Sequence, residues 1–217
     1  MMIEAVIFDM DGLLVDSEPL WFRARVALLT AHRKEWTAAD QLAMAGVHTQ
    51  VWVQALHERL EAAVRREAIL EDNLARMESY YESGDVSILA GASEALEHCA
   101  QHYRVGLASG SPRRLIDACL SGAGWNRYFE SVISGDELEH GKPAPDIYLE
   151  IIRRMDLNPA TAAVVEDSGA GIKAGKAAGT KVIAVPNPHT DPGPEVVALA
   201  DARIGTLDEL PATLATL

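Results

Sequence analysis

Glu4-Ala5-Val6-Ile7-Phe8-Asp9-Met10-Asp11-Gly12 is the stretch on which the reading of the fold turns. Its apolar run is rich in β-branched and aromatic side chains and does not alternate, which is the pattern of a strand buried on both faces of a sheet. The run ends on two carboxylates one residue apart. Residues i and i+2 of a strand share a face, so this pair aims both acids at one ligand. Gly12 lets the chain turn away immediately afterwards.

Similar runs recur at residues 104–108, 131–133, 162–165 and 180–185, with a shorter one near 202–204. Helical stretches separate them at 92–102, 112–120, 146–155 and 171–178. Pro112 falls in a first helical turn and Gly179 just past a last one, where each is favoured. Strand and helix in alternation predict an α/β fold with a doubly wound parallel sheet. One region breaks the rhythm. From about 18 to 83 only helix-forming composition is present, at 20–31, 51–66 and 68–81, with apolar Ala55, Leu60 and Val64 at helical spacing. The expected organisation is a core of residues 1–16 plus 86–217 with an all-helical insertion, residues 17–85. A Pro/Gly-rich loop at 187–194 precedes a last short strand and helix.

With 217 residues, 48% of them apolar and 24% charged, the chain has the composition of a soluble globular protein. A net charge of −13 would repel nucleic acid and anionic membranes, so neither is expected as a partner. No apolar stretch reaches membrane-spanning length, and no basic leader precedes the first strand, so a cytoplasmic location is expected. Cys99 and Cys119 read as small buried hydrophobes. Oligomeric state is not readable, and a monomer is compatible with the sequence.

Ligands of open parallel sheets bind beyond the carboxyl ends of the strands. Four polar clusters fall there: Asp9-Met10-Asp11-Gly12, Ser109-Gly110-Ser111, Gly141-Lys142-Pro143 and Glu166-Asp167-Ser168-Gly169. Taken singly, each has an ordinary structural reading as an Asx turn, a helix cap or a solvated loop lysine. Taken together, Asp9, Asp11, Glu166 and Asp167 crowd carboxylates into one crevice and require a cation. All-oxygen ligands select a hard ion, Mg²⁺. Lys142, Ser109 and the backbone around Gly110 supply an anion site at a helix start. Metal and anion groups side by side suit phosphoryl transfer, with one carboxylate of the pair Asp9 and Asp11 attacking phosphorus and the other handling the proton. The expected substrate is a small phosphorylated metabolite.

Two rivals are set aside. Gly169-Ala170-Gly171-Ile172-Lys173-Ala174 fits a dinucleotide fingerprint, but the acids before it would repel a pyrophosphate. A phospho-acceptor signalling module would use similar strand-end acids and a lysine, but it needs no helical lid.

The segments FDMDGLLVDSEPLW (8–21), VGLASGSP (105–112), SGDELEHGKPAPDIYLE (134–150) and VVEDSGAGIKAGKAAG (164–179) together resemble the haloacid dehalogenase superfamily in its phosphatase branch. The resemblance implies a Rossmann-like core with a small helical cap. It implies Asp9 as nucleophile and metal ligand, and Asp11 as general acid and base with its backbone carbonyl on the metal. Ser109 and Lys142 would hold phosphate, and Asp167 would complete the Mg²⁺ ligands with Glu166 beside it. Dehalogenases of the superfamily lack the second aspartate. Its β-phosphoglucomutase branch carries a histidine where Trp21 stands, and an arginine in the cap loop that here reads AGVHTQ (45–50). Both departures favour hydrolysis of a sugar phosphate over the alternative mutase reaction. Trp21, His48, Thr49 and Gln50 are the expected substrate-reading residues of the cap, with 16–20 and 83–86 as its hinges.

Overall fold

A computed structural model describes residues 2–44, 47–187 and 192–217. Six strands form one wholly parallel sheet: β1 Ala5–Phe8, β4 Arg104–Ser109, β5 Ser131–Ser134, β6 Ala162–Glu166, β7 Lys181–Ala184 and β8 Ala202–Arg203. Their spatial order is β5-β4-β1-β6-β7-β8. The chain therefore builds outward from β1 on one side, returns, and builds outward on the other, so the order reverses at β1. At such a reversal the connections part and leave a crevice beyond the strand ends.

Successive β1 side chains feed opposite layers. Val6 and Phe8 pack with α5 Ala92–His102, α6 Arg113–Ala123 and α10 Leu210–Leu214. Ala5 and Ile7 pack with α7 Asp146–Arg154 and α8 Gly169–Ala177. Phe8 and Ile7 are 0% exposed, and burying each contributes about 1.5–3 kcal/mol, which explains why the strand has no polar position. The doubly wound sheet expected from the sequence is present. Cys99 and Cys119 lie in the first of these layers, their thiols pushed up to about 12 by burial.

Between β1 and β4 the chain forms α1 Glu18–Ala31, α2 Ala38–Ala43, α3 Thr49–Arg59 and α4 Arg66–Ser83. A two-stranded antiparallel pair, β2 Val15–Asp16 with β3 Ser87–Ile88, ties together the two crossings between this layer and the sheet. The helices enclose a core of their own that includes Trp21, Leu28, Trp52, Leu56 and Met77, and Leu115 of α6 reaches into it. The helix expected at 51–66 is in fact broken. Glu61 and Ala62 have φ of 53° and 58°, which reverses the chain after the buried Leu60, and the His57 Nδ1–H donates to the Val64 carbonyl at 2.8 Å across the reversal. No helix among the described residues is long and apolar enough to cross a membrane. A short α9 Pro194–Val197 follows β7; residues 188–191 of the loop expected at 187–194 lie outside the described residues.

Candidate active site

Asp9 follows β1 and is 6% exposed, and Lys142 Nζ donates to its Oδ1 at 2.7 Å. The same ammonium donates to Glu166 Oε1 at 2.6 Å and to the Ala108 carbonyl at 3.2 Å. Three acceptors thus fix the lysine at the ends of β1, β4 and β6. Burial would favour a neutral Lys142, but the charges of Asp9 and Glu166 hold its pKa well above the usual lysine value. Asp9 is pushed up to about 7, by burial first, with Lys142 opposing and the charges of Glu166 and Asp11 adding. Its Oδ2 accepts no hydrogen bond among the described residues, and the side chain forms part of the crevice wall.

Glu166 does different work from Asp9. Tyr148 Oη donates to its Oε1 at 2.6 Å, while Asp167 N, Ser168 N and Ser168 Oγ donate to Oε2 at 3.1, 3.1 and 3.0 Å. With Lys142 that makes five donors on one carboxylate, enough to fill its roughly four lone-pair positions. Gly171 makes this possible. A Cβ there would sit 1.7 Å from Glu166 Oε1, so the glycine of the apparent dinucleotide fingerprint is room for a carboxylate. Tyr148 carries no signal in the sequence beyond a helical apolar position, and it was missed.

Asp11 is held by hydroxyls. Ser17 Oγ donates to its Oδ1 at 2.5 Å, and Ser109 and Ser111 donate to Oδ2 at 3.1 and 2.7 Å. Ser109 is fully buried, with its Oγ also accepting from Ser111 N at 3.0 Å; Gly110 and Ser111 are the residues on the crevice wall. The turn after Asp11 has Gly12 at φ 79°, and Asn187 Nδ2 donates to its carbonyl at 2.8 Å. Ser17 and Asn187 were also missed, because neither belongs to a pattern until the fold brings it to Asp11 or Gly12.

The donor set suits a divalent cation. Asp9, Glu166 and Asp167 each offer a carboxylate oxygen, all within 4.8 Å of one another, and all three are buried. Lys142 is the one ammonium among the described residues that is bonded to Asp9 and Glu166, and three buried carboxylates beside it favour a hard divalent ion, oxygen ligands suiting Mg²⁺. Asp9 and Asp167 can hold such an ion directly. A metal bond to Glu166 would compete with the donors just described.

The helical layer closes the other side of the crevice. Trp21, Trp52, Met44 and Val47 contribute apolar wall, and Glu18 and Arg25 contribute charge. Arg25 is 3% exposed, lying 5.2 Å from the ring centroids of both Trp21 and Trp52. Its Nη1 donates to Gln41 Oε1 at 2.7 Å, and Gln41 Nε2 donates to Glu18 Oε2 at 2.9 Å. Burial lowers Arg25 to about 10, with Glu18 acting against it. The loop at 45–50 carries no arginine, but Arg25 of α1 brings a guanidinium to this side of the crevice; its place in a helix with no visible partner concealed it. Of the cap residues singled out in the sequence, Trp21 lines the crevice. His48 caps α3, its Nδ1 accepting from Gln50 N at 3.2 Å, and lies over Gly141, where an added Cβ would be 2.6 Å from its own Cβ. Thr49 and Gln50 line a separate groove between α3 and α4. Ala45 and Gly46 lie outside the described residues.

Comparison with known proteins agrees with the fold. The haloacid dehalogenase-like hydrolase family matches residues 3–179. The chain is 34% identical over 213 residues to hexitol phosphatase B of Escherichia coli strain K12, covering 97% of this chain and 95% of that protein. It is 31% identical over 189 residues to the phosphorylated carbohydrates phosphatase of Thermotoga maritima, covering 83% and 84%. The crystal structure of CbbY from Rhodobacter sphaeroides in complex with phosphate has the same fold, with a TM-score of 0.84 over 100% of both chains at 24% identity. From a match that runs from β1 through α8 and relatives aligned over most of their length, the chain belongs to the haloacid dehalogenase-like hydrolase family.

Proposed function

We propose that this hydrolase is a Mg²⁺-dependent phosphatase that cleaves a small phosphate monoester, a sugar or polyol phosphate, by way of a phosphorylated Asp9. The observation that carries the proposal is the state of Asp9, whose Oδ1 is held by Lys142 while Oδ2 accepts no hydrogen bond among the described residues. A carboxylate oxygen so held can attack phosphorus. As the bond from Oδ2 to phosphorus forms, the bond to the ester oxygen breaks, and Asp11 gives the departing alkoxide a proton. Water then attacks the phosphorus of the aspartyl-phosphate, Asp11 accepts the proton, and the bond to Asp9 breaks to release inorganic phosphate. Mg²⁺, when bound by Asp9, Asp167 and the Asp11 carbonyl, supplies neutralisation of the phosphoryl oxygens.

Lys142 contributes the fixed protein charge on that group, and Glu166 keeps Lys142 aligned. Gly110 and Ser111 offer their backbone to phosphate. The Ser109 hydroxyl joins them only on releasing Asp11. Residues 17–85 act as a cap on the core. The crevice holds about 50 Å³ of free space, a few water positions, so the cap must move on the segments at 16–20 and 83–86 to admit any sugar phosphate. That the similar proteins named above act on hexitol phosphates and phosphorylated carbohydrates supports the substrate class.

The test is phosphate release from p-nitrophenyl phosphate and a panel of sugar and polyol phosphates. Turnover with Mg²⁺ that stops on EDTA addition and returns with excess Mg²⁺ is expected. Turnover that persists under EDTA contradicts the metal, and conversion of β-glucose 1-phosphate to glucose 6-phosphate in place of phosphate release contradicts the hydrolase reading in favour of a mutase.

A further inference from the structure

The cap side of the crevice carries a buried polar set that the phosphoryl chemistry does not use. Arg25, Gln41 and Glu18 are 3%, 7% and 7% exposed, and they are joined in line by the two hydrogen bonds through the Gln41 amide. Trp36 Nε1 adds a hydrogen bond to Gln41 Oε1 at 3.2 Å, fixing which end of the amide faces Arg25. The Nε–H of Arg25 is buried with no acceptor among the described residues. An orphaned charged donor costs stability unless something else accepts from it, and Arg25 and Glu18 both line the crevice that Asp9 opens into.

We infer that Glu18, Gln41 and Arg25 form the subsite that reads the leaving group, and that this subsite takes an uncharged, polyhydroxylated chain; the inference rests on the phosphatase reading above. Charge decides between ligand classes. Arg25 and Glu18 cancel, so this end of the crevice has no net charge to attract a second phosphate or a carboxylate, and Glu18 would repel either. A hydroxyl answers both residues, because it accepts from the Arg25 Nε–H and donates to the Glu18 carboxylate, and neighbouring hydroxyls on one carbon chain can do so together. The rings of Trp21 and Trp52, with Met44 and Val47, offer apolar surface to the C–H faces between those hydroxyls. The stacking of Arg25 against both tryptophans holds the guanidinium in one orientation, which makes it selective for hydroxyl position.

Arg25→Lys and Arg25→Met, each checked for thermal stability, are compared with the unaltered enzyme on glucitol 6-phosphate, p-nitrophenyl phosphate, 2-phosphoglycolate and fructose 1,6-bisphosphate with Mg²⁺. Lysine keeps the charge but loses Nε and the planar stack. The selectivity ratio, kcat/KM for glucitol 6-phosphate over that for p-nitrophenyl phosphate, is expected to fall about ten- to a hundredfold in both variants, mainly through KM. Equal loss on both substrates assigns Arg25 a purely structural part and overturns the inference. So does an unchanged ratio, or an enzyme whose preferred substrate is the bisphosphate or the carboxylate in an Arg25-dependent way. If the unaltered enzyme releases no phosphate from p-nitrophenyl phosphate, the phosphatase reading itself falls, a result distinct from any change in the ratio.

Discussion

Replacing Gly171 by alanine tests whether Glu166 is the brace of the site. On helix propensity alone the change should stabilise α8 by about 0.8–1 kcal/mol. The structure predicts the opposite sign. The new Cβ would lie 1.7 Å from Glu166 Oε1 and 2.2 Å from Oε2, so the carboxylate must retreat by roughly 1.3 Å to reach the 3.0 Å at which such contacts begin. The bonds to Oε1 from Lys142 and Tyr148 are both 2.6 Å long and cannot survive that retreat. Each hydrogen bond to a charged group is worth about 1.5–3 kcal/mol, and loosening a buried ion pair costs about 3–5 kcal/mol, so the net effect is a loss of about 3 kcal/mol after the propensity gain. Lys142 would keep Asp9 and the Ala108 carbonyl as acceptors, but without Glu166 its direction is no longer set. We expect phosphatase turnover to fall at least a hundredfold. Urea unfolding and phosphate release from p-nitrophenyl phosphate are the assays. A variant as stable as the parent and within threefold of its activity would show that Glu166 does not brace the site.

Other predictions follow from contacts outside the reacting centre. Arg114 of α6 pairs with Glu71 and Glu78 of α4, joining core and cap at the surface. Because its side chain is 38% exposed, Arg114→Met should cost no more than about 1 kcal/mol in urea unfolding, and a loss above 2 kcal/mol would show a stronger clasp than this geometry allows. Asp201 is raised by its burial but lowered more by hydrogen bonds from Lys176, Val182 N and Lys181, to about 2. A depressed carboxylate stabilises the fold above its unfolded pKa and ceases to do so as pH falls through the folded one. The stability lost in Asp201→Asn should therefore be about 1 kcal/mol at pH 7 and shrink between pH 4 and pH 2. A deficit that is unchanged at pH 2 would contradict the ion-pair assignment.

Most of the sheet was legible because β1, β4, β6 and β7 are buried on both faces and leave unbroken apolar runs. The clusters at their ends were legible for a related reason: polar residues that cap such runs stand out. The two-residue strands β2 and β3 were not legible, since a pair that short has no period. Nor was the chain reversal at Glu61 and Ala62, whose φ values are usual for glycine rather than for these residues. It is imposed by packing of Leu60 into the cap core. In the site, sequence order located Asp9, Asp11, Lys142, Glu166 and Asp167, but not how they divide the work. That Glu166 is consumed by five donors, and that Ser109 lies behind Ser111 with its hydroxyl on Asp11, depends on distances no spacing encodes. The cap was least legible. Arg25 sits in a helix of mixed composition, and its link to Glu18 runs through Gln41 on another helix.

In the proposed reaction, phosphorus passes through a bond to Asp9. The most direct measurement is a rapid acid quench of the enzyme turning over ³²P-labelled glucitol 6-phosphate with Mg²⁺, followed by mapping of the labelled peptide. Label is expected on the peptide carrying Asp9, discharged by hydroxylamine as an acyl phosphate is, and none in Asp9→Asn, which should also lack turnover. Appreciable phosphate release by Asp9→Asn, or label on a peptide without Asp9, would contradict it.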